Sequence, residues 1–462
     1  MERGPRNEKR RRDVKPNVFH TKRPKKVEEE LESPKRSNPI EIQKLPQEAE
    51  GPLEDICRNA LLVVGTYHSV MAGLVLRKGA FYITFSVKHH VGCMNGVAVG
   101  YKYVASCGVD ERVFLFTNKL HARERPKGVN PHGTSSGNAL AVRLAELGSL
   151  GPPAEVRCVA FTDNSHHLLC GCADGQLRVF RTRDWGLSLG LPVHGKAIVQ
   201  LALHPKSNGS LCITIGEDRS VAVLDLAKHR LMTKWKYTSA RTRGNPNRET
   251  NDKDVDGINQ RRRRTAWDGR QQEEPLSVSF SPMGVYWAVQ SRFSVVVYRT
   301  ATMKMAYVLR LVQPQPEEEL HNLVFVSDDA FLVGNEAGQL LYATLTPPSS
   351  VAETSSQEQS AADVVLRPVE LRYRDEQQTS EAAAVTKEEN TLQKHPLRHT
   401  VRIKALARVR RTLFSIDSAG VVINWTLDVI RNIANESVVA LTYITSANCQ
   451  GRVTTMGVLA LG

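Results

Sequence analysis

VRCVAF (156–161), HLLCGCAD (167–174) and GQLRVF (175–180) are three short apolar runs in a row, the last two meeting in a turn at Asp174. Runs this short, rich in Val, Leu and Phe and bounded by turn residues, predict β-strands rather than helices. The same order stands upstream in MNGVAV (94–99), YVASCGVD (103–110) and ERVFLF (111–116). It stands again downstream in IVQLAL (198–203), LCITIGED (211–218) and RSVAVLDL (219–226). Each unit reads strand, loop, strand, tight turn at an Asp, strand, and Asp174 and Asp218 are 44 residues apart.

That spacing lies within the roughly 40–45 residues of a WD-type propeller blade. Three further copies follow. They are LSVSF, VYWAVQ and FSVVVY (276–298), then NLVFV, AFLVGNEAG and QLLYATL (322–345), then VRIKALA, TLFSIDSAG and VVINWTL (401–427). A seventh copy is divided between the chain ends: LLVVGTYHSVMAGLVL (61–76) and FYITFSV (81–87) lack a first strand, and VTTMGVLAL (453–461) is a first strand without successors. The expected fold is all-β: a seven-bladed WD-repeat β-propeller closed by N- and C-terminal strands, because closure removes the exposed sheet edges that invite aggregation. Strands apolar on both faces, such as Val113-Phe114-Leu115-Phe116, suit blades packed against neighbours on either side.

Seven blades of this size use roughly 300 residues, and the chain has 462. The excess falls in polar insertions near 118–138, 239–273 and 346–397 and in an N-terminal segment, residues 1–55. The expected organisation is therefore a disordered basic and acidic tail (1–55) followed by one propeller (56–462). Hydrophobic residues make up 41 %, enough for one large core. No apolar run approaches the roughly 18 residues of a membrane helix, and the basic N-terminus has no apolar h-region, so neither a spanning segment nor a secretory signal is expected. The eight cysteines are scattered without a CxxC pair and read as buried, reduced thiols.

Asp110, Asp174 and Asp218 each stand six residues before the end of a third strand. An Asp at this turn can anchor a buried hydrogen-bond network with a His, and His90 and His194 lie upstream at suitable positions. A buried carboxylate must be paired to be tolerated, so these residues are expected to be structural. The matching turn position is His68, Arg292, Ala337 and Ala419 in the other copies, and Trp425 alone supplies the strand-end Trp. GxxxxGK[ST], HExxH, GxSxG and a strand-linked GxGxxG are missing, and His89-His90 and His166-His167 lack companion zinc ligands. A non-catalytic chain with no cofactor, metal or small-molecule substrate is expected.

Residues 1–27 hold 11 Lys/Arg against three acids. Lys9-Arg10-Arg11-Arg12 and Lys22-Arg23-Pro24-Lys25-Lys26, nine residues apart, are spaced to engage a nuclear import receptor and can also contact RNA phosphates. Arg261-Arg262-Arg263-Arg264 forms a second basic run with Trp267 as its only nearby aromatic, which favours phosphate contact over base readout. WDGR at 267–270 matches the WDxR docking signature of ubiquitin-ligase substrate receptors, yet it falls in a polar insertion rather than at a strand end.

VVGTYHSVMAGLVL followed by HHVGCMNGVAVGYKYVASCGVDERVFLF resembles the N-terminal blades of the PAK-interacting, Mak-type WD-repeat proteins of the nucleolus. The parallels are Gly65, Tyr67, Gly73, His89, His90, Val97, Ala98, Val99, Ser106, Gly108, Asp110 and Glu111. CADGQLRVFRTRDW (172–185) and HGKAIVQLALHPKSNGSLCITIGEDRSVAVLDL (194–226) extend the resemblance, which is weak beyond residue 226. The resemblance implies a scaffold for ribosome biogenesis in the nucleus and nucleolus. Its implied partners are assembly factors and ribosomal proteins of the large (60S) subunit precursor, with pre-ribosomal RNA. It also implies an alternative, a signalling adaptor that negatively regulates a PAK-type kinase. The family's Lys-rich tail is C-terminal, whereas the basic run here is at 1–27.

Overall fold

The computed structural model describes residues 56–77, 79–117, 144–238, 274–311, 314–345, 362–373, 398–431 and 437–461. The polar segments that contain the two N-terminal basic clusters, Arg261–Arg264 and the 267–270 motif lie outside the described residues. The chain enters with β1 (Asn59–Thr66), β2 (Val70–Arg77) and β3 (Ala80–Lys88). Blade 1 follows as β4 (Met94–Val99), β5 (Tyr103–Gly108), β6 (Val113–Thr117) and β7 (Ala145–Leu150). Blade 2 is β8 (Val156–Phe161), β9 (His167–Cys172), β10 (Gln176–Arg181) and β11 (Leu187–Pro192). Blade 3 is β12 (Ile198–Leu203), β13 (Leu211–Gly216), β14 (Ser220–Asp225) and β15 (Arg230–Lys236). Blade 4 is β16 (Ser277–Phe280), β17 (Tyr286–Gln290), β18 (Ser294–Arg299) and β19 (Lys304–Arg310). Blade 5 begins with β20 (Leu320–Ser327), β21 (Ala330–Asn335) and β22 (Leu340–Thr344). Three short strands come next, β23 (Ala362–Val364), β24 (Arg367–Pro368) and β25 (Glu370–Tyr373). Blade 6 is β26 (Ile403–Val409), β27 (Thr412–Asp417), β28 (Val421–Arg431) and β29 (Ser437–Asn448), and β30 (Val453–Ala460) ends the chain.

These strands form seven sheets, and the seventh has the order β3-β2-β1-β30. Strand β30 pairs antiparallel with β1, from Ala60 opposite Ala460 to Thr66 opposite Val453. The innermost strands touch in sequence around the axis, and β30 meets both β4 and β26. Strand β30 thus completes the seventh blade, which β1, β2 and β3 begin, and shuts the ring, as the split seventh copy in the sequence implies.

The core is distributed over seven apolar clusters, one at each interface between blades. Leu62 and Val64 pack with Phe414 and Ile416 of blade 6, whereas Leu61 and Val63 of the same strand pack with Val104 and Phe116 of blade 1. Successive residues of a strand point to opposite faces, and here both faces meet a neighbour. Hence β1 is apolar without alternation. Each such Leu, Val or Phe contributes about 1.5–3 kcal/mol on burial.

The outermost strands differ. β7 and β15 are exposed along most of their length, and only one edge of each pairs with its blade. Within the 346–397 insertion, the stretch 362–373 is not a loop but a strap. β23 adds in parallel to β19, β24 pairs with β22 and β25 adds in parallel to β29. One short run therefore closes the outer edges of blades 4, 5 and 6. Its apolar positions, half-buried Val364, Leu366 and Leu371 and buried Val369, supply the reason that it pairs while its polar flanks read as insertion.

Candidate functional site

In each blade the second and third strands meet in a tight turn at one end of the ring. The residue after the turn position takes a positive φ in six blades: Ser69, Glu111, Gly175, Arg219, Gly338 and Gly420. Glycine is needed most at 175, where an added Cβ would lie 2.1 Å from the His194 carbonyl oxygen.

Three of these turns carry a buried His–Asp network. His90 lies in the loop before β4 and is 3 % exposed. Its Nδ1–H donates to Asp110 Oδ1 at 2.9 Å, and Ser106 Oγ donates to its Nε2 at 2.9 Å. This tautomer follows from the partners, since a carboxylate can only accept. Burial pushes the Asp110 carboxyl up, but hydrogen bonds from His90 and the Val91 N–H outweigh it and leave the group below its ordinary value. In blade 3, His194 Nδ1–H donates to Asp218 Oδ1 at 3.0 Å and Thr214 Oγ1 donates to Nε2 at 2.9 Å. Lys234 Nζ adds an ion pair to Asp218 at 2.9 Å. Burial raises the Asp218 carboxyl, yet donors from Ser220, Gly195 and Lys234 together hold it well below the carboxylate range. Burial also lowers His194, more than the neighbouring Asp218 raises it.

The most complete network is in blade 6, where the turn position itself is Ala419. Trp425 Nε1–H donates to Ser415 Oγ at 2.8 Å, Ser415 donates to His399 Nε2 at 2.7 Å, and His399 Nδ1–H donates to Asp417 Oδ2 at 3.0 Å. Asp417 also accepts from the Ala419 and Val421 N–H groups at 3.0 and 2.9 Å. Its carboxylate stands two residues before the aligned turn position and still reaches the His. Sequence alignment by turn position passes over both His399 and Asp417; the cue available was a His two residues before the first strand run of a blade that keeps its Trp.

Asp174 departs from the expected pairing with a His. The position four residues before β8, which matches His90 before β4 and His194 before β12, is Pro152, and Asp174 instead binds the buried Arg178 guanidinium in two contacts, 2.6 and 3.2 Å. Blades 4 and 5 use neutral groups. Gln290 Nε2 donates to the Leu320 carbonyl at 2.7 Å, and Asn335 Oδ1 accepts from the Gln339 N–H at 2.7 Å. Of the two His pairs, His167 begins β9 and His166 lies in the turn before it.

The innermost strands share a second feature that composition does not reveal. Six of them carry a register shift near their start that leaves one residue out of the ladder: Asn95, Arg157, Val199, Asn322, Lys404 and Thr454. A β-bulge re-aims a side chain, and these residues ring the mouth of the axial channel at the turn end. Asn95 Nδ2 reaches across to the Val156 carbonyl of blade 2 at 3.0 Å, and Asn322 Nδ2 donates to the Lys404 carbonyl of blade 6. In five of the six the sequence signal is a polar residue at the second or third position of a first strand, as in MNGVAV and LHNLVF, with Val199 the exception.

At the opposite end a cleft of about 400 Å³ is lined by Ile56, Cys57, Arg58, Asn59, Arg410, Ala460 and Leu461. Its Cys57 thiol donates to the Asn59 carbonyl at 3.0 Å and is pushed up by burial, the reverse of an activated nucleophile. Among the described residues, no group of three or more His, Cys, Asp or Glu is placed to hold a metal ion, and no helix is long and apolar enough to cross a membrane. All eight cysteines are free.

Residues 145–181 match the family model of the WD domain, G-beta repeat. That span runs from the outermost strand of blade 1 through the third strand of blade 2, so the sequence repeat is offset by one strand from the structural blade. The chain is also similar to curated relatives named p21-activated protein kinase-interacting protein 1-like. The Xenopus laevis protein is 25 % identical over 173 residues, 37 % of this chain and 41 % of the relative. The Gallus gallus protein is 24 % identical over 172 residues, 37 % of this chain and 40 % of the relative. The chain thus spans about two fifths of the length of these relatives. They carry the same family name as the resemblance drawn from residues 61–226, and WD40 propellers are typically non-catalytic platforms for protein interaction.

Proposed function

We propose that this protein is a non-catalytic scaffold for maturation of the large ribosomal subunit in the nucleolus, binding assembly factors, ribosomal proteins and pre-ribosomal RNA. The observation that carries the scaffold reading is the closed seven-blade ring, whose polar groups at the turn end are either buried in structural networks or presented at the channel mouth. The assembly role rests on the resemblance to the nucleolar WD-repeat proteins and on the net +14 charge, which favours partners rich in phosphate. The basic clusters Lys9–Arg12 and Lys22–Lys26 would serve nuclear entry, and Arg261–Arg264 would add phosphate contacts.

Affinity purification of the tagged full chain from nuclear extract tests this reading. Co-purification of large-subunit precursor RNA and proteins is the expected result. Their absence from the purified material overturns the assembly role. A second reading, a regulator of a p21-activated kinase, is favoured by the names of the relatives. Recovery of that kinase in place of ribosomal precursors would select it.

A further inference from the structure

We propose that the channel mouth at the junction of blades 6, 7 and 1 is a docking site for an acidic peptide segment of a partner protein, one that carries an apolar side chain beside its carboxylates. This inference rests on the scaffold reading and names the partner chemistry.

The site is built from the starts of adjacent innermost strands. Lys404 is the bulged residue of β26, Arg402 stands just before that strand, and Arg452 stands just before β30. Strands β26, β30 and β4 are neighbours around the axis. Arg452 lies over the Tyr67 ring at 5.1 Å, and its carbonyl accepts the Tyr67 N–H at 2.8 Å, which holds the two residues together at the rim. Arg402 approaches Glu336 at 3.8 Å. Glu336 is already engaged by His321 at 2.6 Å. Among the described residues neither Lys404 nor Arg452 has a carboxylate partner. Burial and the two nearby guanidiniums disfavour the charge on Lys404, a situation that an incoming anion relieves. Three cations converging with one shared acid make a locus of positive potential.

Exposed aliphatic groups flank the cations. Val91 is 80 % exposed. The Val109 N–H donates to the Cys93 carbonyl at 3.1 Å, at the foot of β4, so Val109 belongs to the same rim. RNA is the less suited occupant, because sequence-tolerant binding of single strands needs free aromatic faces for stacking, and the half-exposed Tyr67 ring already has Arg452 over one face.

The test uses the full chain and fluorescence anisotropy with three probes: a labelled twelve-residue Glu-rich peptide with a central Leu, its Gln-for-Glu counterpart, and a U-rich RNA of twelve nucleotides. Variants are Arg452→Glu and Lys404→Met, the second preserving volume and apolar packing. A third variant replaces Arg10, Arg11, Arg12, Lys25 and Lys26 with Ala and removes competition from the N-terminal clusters. The expected result is binding of the acidic peptide that weakens as salt rises. It should persist in the N-terminal variant and fall at least about tenfold in Arg452→Glu and Lys404→Met with unchanged melting temperature. The proposal is overturned if the peptide and its Gln counterpart bind alike, if only the N-terminal variant loses binding, or if Arg452→Glu weakens the RNA and leaves the peptide untouched. Such a failure with ribosomal precursors still co-purifying removes this site alone; loss of the precursors with peptide binding intact removes the assembly role alone.

Discussion

Two sets of polar residues share the turn end of the ring, often side by side in the chain, and their environments are opposite. The rings of His90, His194 and His399 and the Asp417 carboxylate are buried, Asp110 and Asp218 are partly buried, and each pair is hydrogen-bonded within one blade. Arg402, Lys404 and Arg452 stand a few residues away at the channel mouth, between blades. A buried charge without its partner is costly, so the first set is bound to the fold. A half-exposed cation costs the fold little and keeps its capacity for an external anion. Proximity in sequence therefore does not predict shared purpose; desolvation does.

Perturbations of the two sets should separate accordingly. Removing residues 451–462 deletes β30 and leaves β1, β4 and β26 without their neighbour. This should abolish cooperative unfolding and yield insoluble protein, as read by expression and calorimetry. A soluble truncated chain with an unchanged melting temperature would refute closure. Next in size is Asp417→Ala, which strands the His399 Nδ1–H and two backbone N–H groups in the interior. A loss of about 3 kcal/mol is expected in denaturant titration.

Acid should act on the buried set rather than on the rim cations. His194 and Asp218 both have depressed values in the fold, so each binds protons more readily when unfolded. Their stabilisation is complete above the unfolded values and is lost as pH falls, that of His194 below about 6.5 and that of Asp218 below about 4. Melting temperature should drop from pH 7 to pH 5, and His194→Gln should flatten that slope. The smallest expected effect is Arg452→Glu, within about 0.5 kcal/mol of the parent, because the residue is at the rim and its ion pairs are absent among the described residues.

The same contrast governs what could be read from the sequence. The first three strands of each blade were legible because their residues are buried on both faces, as in Val113–Phe116, and stand out as apolar runs. The outermost strands β7, β11 and β15 were not, since much of their surface faces water and their sequences, such as Ala145–Leu150, carry no continuous apolar run. The strap at 362–373 was hidden for a related reason: it borrows its ladder partners from finished blades. Asp110 and Asp218 were found with their His because they keep the usual spacing. Asp417 was missed because its carboxylate arrives from two residues earlier, and Asp174, for which the sequence offers no upstream His, is held by Arg178. The bulged ring was invisible for lack of a composition signal stronger than one polar residue per strand.

Melting temperature and capture of large-subunit precursors, taken together on Asp417→Ala and Arg452→Glu, bear most directly on the division between fold and function. Asp417→Ala should melt lower and, at a temperature where it remains folded, retain the precursors; Arg452→Glu should melt like the parent and recover fewer. The opposite pattern, a stable Asp417→Ala that captures nothing beside an Arg452→Glu that captures normally, would place the binding function in the buried networks and contradict it.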